Sequence, residues 1–170
     1  MRSSGRLPQT LGLKHHRMQA LELKIPPPIV ALLFAAAMWG ISLTTPSVEA
    51  PALVRLVAAI AIALAGVGTA IAGIVAFRYA RTTLNPLKPE AASSLVTSGV
   101  YQFTRNPMYV GLALVLFAWA VFVSSALAFL GPLAFILYMN RFQILPEERV
   151  LSGMFGAAYS TYQTKVRRWL

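Results

Sequence analysis

The residues able to do chemistry fall in two blocks. One holds Thr97-Ser98-Gly99-Val100-Tyr101 and Arg105-Asn106-Pro107-Met108-Tyr109-Val110-Gly111; the other holds Asn140-Arg141-Phe142-Gln143 and Glu147-Glu148. Each piece alone has an ordinary structural explanation. Ser98-Gly99 suits a turn, Pro107 a first helical turn, and the tyrosines a membrane interface, while acids after Pro146 complement a helix dipole. Together they offer tyrosine faces, backbone groups and a carboxylate to one polar, aromatic pocket. The chain has no Ser-His-Asp set and no Gly-rich phosphate loop. Without cysteine it has no thiolate nucleophile, disulfide or thiolate metal site. His15 and His16 sit side by side in a polar stretch far from partner ligands, so no metal site is expected. Such a pocket suits an organic cofactor better than hydrolysis.

The elements that position these blocks follow from composition. Of 170 residues, 57% are hydrophobic and 12% charged, too much apolar surface for a water-soluble chain of this length. The expected fold is an all-α integral membrane protein with about four spans, near 29–43, 51–77, 108–123 and 126–142. The first is short and carries Trp39. Val48-Glu49-Ala50 offers a signal-peptide alternative to it, opposed by the long basic stretch before it and by Pro51 just after. In the second, Gly66, Ala70 and Gly73 make one helix face small enough for close packing. Only Ser124-Ser125 separates the last two, which implies a tight antiparallel hairpin. From Pro146 onward, apolar residues recur at helical spacing with polar ones opposite, which predicts an amphipathic helix along the membrane surface or capping the bundle. Residues 1–28, basic and ending in three prolines, are expected to form a flexible leader, with Met18 an alternative start.

The net charge of +10 does not point to nucleic acid, because the basic residues lie between apolar runs and not on one face. They point to topology. The leader, the 78–107 loop and the tail are basic, whereas the connections 44–50 and 124–125 carry only Glu49. Both termini are therefore expected in the cytoplasm, together with the polar segments 85–111 and 140–168. The two chemical blocks then share one face.

Three motifs, in order and spacing, carry a resemblance. Leu95-Val96-Thr97-Ser98-Gly99-Val100-Tyr101, then Arg105-x-Pro107-x-Tyr109-x-Gly111, then Glu147-Glu148 with Phe155-Gly156-x-x-Tyr159-x-x-Tyr162, resemble the isoprenylcysteine carboxyl methyltransferase family and its phospholipid methyltransferase relatives. The resemblance covers roughly residues 85–170, and it implies one membrane methyltransferase domain over 29–170. It also implies S-adenosylmethionine as cofactor, in a cytosol-facing pocket that a lipophilic substrate reaches from the bilayer. By resemblance, Ser93, Ser94, Leu95, Val96 and Tyr101 line the cofactor site. Asn106, Pro107, Met108 and Tyr109 match the family's His-Pro-x-Tyr motif, and Glu147 its cofactor-binding acid. Asn106 replaces the usual histidine, keeping hydrogen-bonding capacity without a titratable group. Gln143 stands where the family has a substrate-side arginine, and Arg141 lies two residues earlier.

Methyl transfer suits such residues. Tyrosine faces and a carboxylate hold a sulfonium cation, and a water-poor pocket favours transfer to an anionic oxygen. Arg141 and Gln143 are the expected acceptor-side groups. For an amine acceptor, Glu148 is the expected proton acceptor. The expected partners are the lipid bilayer and a lipophilic small-molecule or lipidated acceptor, with no nucleic acid and no metal; the expected location is a bacterial inner (plasma) membrane, with the active site facing the cytoplasm. The alternative is a non-catalytic four-helix scaffold or lipid-binding protein. A transporter subunit fits less well because, Arg55 aside, the spans hold no acid, lysine or histidine.

Overall fold

The computed structural model describes residues 22–80, 87 and 89–170. The expected leader up to Leu21, with His15, His16 and Met18, lies outside them, as do Asn85, Pro86 and Lys88. The described residues form helices joined by turns, and their only sheet-like pairing is an isolated bridge between Ser47 and Ser125. The helices are α1 (Pro27–Ser42), α2 (Ala52–Tyr79), α3 (Pro107–Val123), α4 (Leu130–Met139) and α5 (Leu145–Lys165). Short 3₁₀ turns cover Pro89–Ala91, Gly99–Gln102 and Ala126–Phe129, and a π turn covers Asn140–Ile144.

By length and composition, α2 and the continuous run Ala126–Lys165 can cross a membrane, while α1 and α3 are shorter apolar helices. At 1.5 Å per residue, α1 is about 24 Å long and α2 about 42 Å. Leu32, Leu33, Leu53 and Leu64 point outward, as lipid-facing residues would. The interior is built where α1, α3 and α4 meet around Val30, Met38, Leu116, Phe135 and Met139. Phe34 meets Phe135 edge-on, with ring centroids 5.9 Å apart.

The small face of α2 receives α3. A Cβ on Gly66 would stand 2.8 Å from the Gly111 carbonyl oxygen, and one on Gly73 would stand 3.1 Å from Pro107 and Met108. This close approach fixes the start of α3, and so Tyr109, against α2. At the far end, the two connections expected on one side of the membrane meet. The Val48 N–H donates to the Ser124 carbonyl at 2.6 Å, and Ser124 Oγ donates to the Val48 carbonyl at 2.8 Å. Ser124 takes a left-handed conformation, φ 54°, to turn the hairpin.

The second half of that hairpin differs from expectation. The amphipathic helix does not begin afresh at Pro146, because α4 runs through the π turn into α5 without a break. Proline has no N–H for the carbonyl four residues back, which here belongs to Phe142. The chain widens into a π turn just before Pro146, and the Phe142 carbonyl accepts the Leu23 N–H at 3.2 Å instead. Farther on, Gly156 (φ 48°, ψ −122°) kinks α5. Only glycine adopts those angles readily, and the kink precedes the limb that carries Tyr159 and Tyr162. Pro51, expected as the first residue of α2, caps it from outside.

Candidate active site

At the end opposite the Val48–Ser124 junction, a pocket opens between α2, the 89–106 segment, the start of α3 and α5. The open space inside it, counted past its mouth into solvent, is about 840 Å³. Phe77, Tyr101, Tyr109, Tyr159 and Tyr162 supply aromatic walls, and Arg105, Asn106, Glu147 and Glu148 the polar ones.

Three interactions set these walls. Tyr109, buried in the first turn of α3, donates its hydroxyl hydrogen to Glu147 Oε1 at 2.5 Å. Gln143 Nε2 donates to the same oxygen at 2.7 Å. The π turn places Gln143 one turn before Glu147, where its amide meets the carboxylate from behind the pocket wall. On the opposite wall, the Tyr162 hydroxyl donates to the Tyr101 carbonyl at 2.7 Å and ties the kinked limb of α5 to the loop. Tyr101 packs edge-on against Phe77 at 5.4 Å. Burial pushes its hydroxyl well above the usual tyrosine range, so it stays a neutral hydrogen-bonding group.

The C-terminal residues strap the site together. The Arg167 carbonyl accepts the Arg105 N–H at 3.0 Å, and the Arg168 carbonyl accepts Asn106 Nδ2 at 2.9 Å. Trp169 Nε1 donates to Asn140 Oδ1 at 3.0 Å. Glu148 accepts from Arg168 Nε at 3.0 Å and Nη2 at 2.7 Å, a bidentate pair that holds the guanidinium more firmly protonated. Arg105 Nη1 lies 3.2 Å from Glu148 Oε1, yet Arg105 Nε and Nη1 are buried and make no hydrogen bond.

Among the residues expected from sequence, Ser94, Leu95, Val96, Tyr101, Asn106, Met108, Tyr109, Glu147 and Glu148 line the pocket together. Ser93 is exposed beside it. Pro107 is fully buried, facing Gly73, and Gln143 is buried behind Glu147. Arg141 is not on the pocket wall. Its Nη1 donates to Glu22 Oε1 at 2.9 Å, and its guanidinium lies 5.5 Å from the Phe142 ring centre. Arg149 also pairs with Glu22. Arg105 stood in the pocket-forming block read from the sequence but was given no role there, and Arg168, Phe77 and Leu151 were not read as part of the site. The pair Arg167-Arg168 set against the single acid pair Glu147-Glu148 was the available signal for Arg168. No group of histidine, cysteine or acidic residues suited to a metal ion occurs among the described residues.

The phospholipid methyltransferase family model matches residues 54–158 of the chain. An uncharacterized protein of Haemophilus influenzae is 49% identical over 63 residues, 37% of this chain and the whole of that protein. The protein-S-isoprenylcysteine O-methyltransferase of Schizosaccharomyces pombe is 38% identical over 76 residues, 42% of this chain and 30% of that enzyme. Its counterpart in Saccharomyces cerevisiae is 36% identical over 85 residues, 46% of this chain and 33% of the enzyme. The match thus spans about a third of each yeast enzyme's length. No solved structure matches the chain. The family match covers more than half of the chain and includes both Tyr109 and Glu147, and the chain belongs to the phospholipid methyltransferase family.

Proposed function

We propose that this protein is an S-adenosylmethionine-dependent methyltransferase embedded in a bacterial inner membrane, with its pocket facing the cytoplasm and a lipophilic acceptor. The observation that carries this proposal is the buried Tyr109–Glu147 hydrogen bond, which joins the family's two separated motifs in one pocket wall. The donor set fits the cofactor. A carboxylate and several tyrosine faces suit a cation.

Bound there, S-adenosylmethionine supplies a methyl group on a sulfonium, which leaves as a neutral thioether. The chain's own residues bind and orient. Glu147 supplies negative charge, with Tyr109 and Gln143 fixing its carboxylate. Tyr101, Asn106, Met108 and the 93–96 segment flank the cofactor, and Pro107 sets the start of α3. Tyr159 and Tyr162 close the far wall and exclude water. Holding two partners in line accounts for most of the rate in such a reaction.

A second cavity supports a lipophilic acceptor. It is an apolar groove between α1 and α2, floored by Leu112, Val115, Leu116 and Trp119 of α3. Leu112 lies one helical turn beyond Met108 of the pocket wall, so a chain in the groove would bring its head group toward the cofactor. An isoprenylcysteine-carboxylate-like or lipid acceptor has that shape. Glu148 already holds two arginines, which suits it to fixing charge better than to taking a proton. Arg141, paired with Glu22, fits a role in anchoring the segment before α1.

The test is methyl incorporation. Purified protein in mild detergent, given membrane lipid extract and cofactor radiolabelled on the methyl group, is expected to label the organic phase. The Glu147→Ala variant is expected to leave it unlabelled. A wild type no better than that variant would contradict the proposal.

A further inference from the structure

The segment before α1 grips the turn that aims Glu147. The Glu22 side chain is only 12% exposed; one of its oxygens accepts Arg141 Nη1 at 2.9 Å, and the other pairs with Arg149. Arg141 belongs to the π turn and Arg149 to the start of α5. One carboxylate thus bridges the stretch that carries Gln143 and Glu147. Beside it, the Leu23 N–H donates to the Phe142 carbonyl at 3.2 Å, inside the same π turn. Leu23 holds φ 57°, a conformation that residues other than glycine rarely take and that persists only where the surroundings over-determine it.

A lone exposed ion pair would carry little weight, and Arg149 is 59% exposed. Here a shielded carboxylate holds two guanidiniums, and a backbone bond acts beside it on the same turn. A π turn is rare and competes with the ordinary α-turn, so contacts that hold its two ends select it. Glu22, Arg141 and Arg149 do not line the pocket. Their route to the ligand runs through Gln143 and Glu147.

We infer that Glu22 is a positioning residue: by bridging Arg141 and Arg149 it holds the π turn in the form that points Glu147 at the cofactor. This rests on the S-adenosylmethionine reading above and deepens it, giving a role to a residue outside the matched 54–158 region.

S-adenosylmethionine is titrated by calorimetry into detergent-purified full-length wild type, Glu22→Gln, Pro146→Ala and the double variant. Glu22→Gln is expected to weaken binding about three- to tenfold. Pro146→Ala removes the reason for the π turn, so adding Glu22→Gln to it is expected to change affinity by less than about twofold. Glu22→Asp, which keeps the charge on a shorter arm, is expected to retain part of the affinity. Thermal midpoints are read on the same preparations, because a merely structural Glu22 would lower the midpoint and leave the affinity of folded protein unchanged. Arg149→Gln removes one arm of the bridge at an exposed position and serves if Glu22→Gln does not fold; about twofold weaker binding is expected. Wild-type affinity in Glu22→Gln would overturn the inference while leaving the cofactor reading intact. An equal loss from Glu22→Gln with and without Pro146 would overturn it as well, since Glu22 would then act elsewhere than on the π turn. Absence of binding to folded wild type would instead overturn the cofactor reading, and the inference with it.

Discussion

The Tyr109 hydroxyl and the Glu147 carboxylate, 38 positions apart in the chain, meet at 2.5 Å. The contact depends on features at both of its ends. Gly66 and Gly111 let α2 and α3 touch, which seats the first turn of α3, and the π turn before Pro146 sets the direction of Glu147.

Removing the hydroxyl tests the contact directly. Hydrogen bonds to charged groups contribute about 1.5–3 kcal/mol. Gln143 still donates to the same oxygen in Tyr109→Phe, so the expected loss of cofactor affinity is at the low end, about tenfold. Calorimetric titration of the variant measures it. An unchanged affinity would mean that Tyr109 does not orient Glu147 for the ligand.

The helix contact predicts a sharp contrast among glycines. A Cβ on Gly111 would collide with the Gly66 carbonyl and with Ala70, whereas one on Gly68 meets nothing within 4 Å. Gly111→Ala is expected to lose about 1–3 kcal/mol through forced separation of α2 and α3. Gly68→Ala is expected to hold or gain stability, since alanine is the better helix former. Thermal unfolding in one detergent compares the two, and a similar midpoint for both would argue against the close packing.

Much of the architecture was legible in the residues themselves. Apolar runs set the helices, alternation of basic and nearly uncharged connections set the pairing of ends, and Val48 does meet Ser124 at the end the charge pattern separated from the pocket. Tyr109 and Glu147 could be paired because the Ser124-Ser125 turn is too short for anything but an immediate return. The π turn was not legible, because its freed carbonyl is satisfied by Leu23, far away in sequence. The strap was hidden for the same reason. Arg168 finds Glu148 only after Gly156 has redirected the chain, and Arg141 had two acids within reach of its helix but pairs with Glu22.

The π turn itself can be tested by restoring the missing donor. Pro146→Ala supplies an N–H for the Phe142 carbonyl and favours an ordinary α-turn. That change would rotate Gln143 and Glu147 relative to each other. The expected result is equal or higher thermal stability with about tenfold weaker cofactor binding, seen by thermal unfolding and calorimetry on the same preparation. Unchanged binding would show that the π turn does not position Glu147.

Breaking the strap should loosen the pocket without touching the Tyr109–Glu147 bond. Arg168→Ala leaves Glu148 with Arg105 alone and removes a bidentate, partly buried pair. A loss of about 1–3 kcal/mol is expected, with Arg168→Lys intermediate because an ammonium cannot form the same fork. Hydrogen exchange at residues 104–106 should rise in the alanine variant. Protection equal to wild type would show that the tail is not what holds that loop.

The central claim is that Glu147 and Tyr109 form the wall of an S-adenosylmethionine site. Calorimetric titration of S-adenosylmethionine into folded wild type, with Glu147→Ala beside it, tests this most directly. Saturable binding is expected in wild type and at least about hundredfold weaker binding in the variant, because a charged, buried partner is removed. No heat in the wild type, or equal affinity in both proteins, would contradict it.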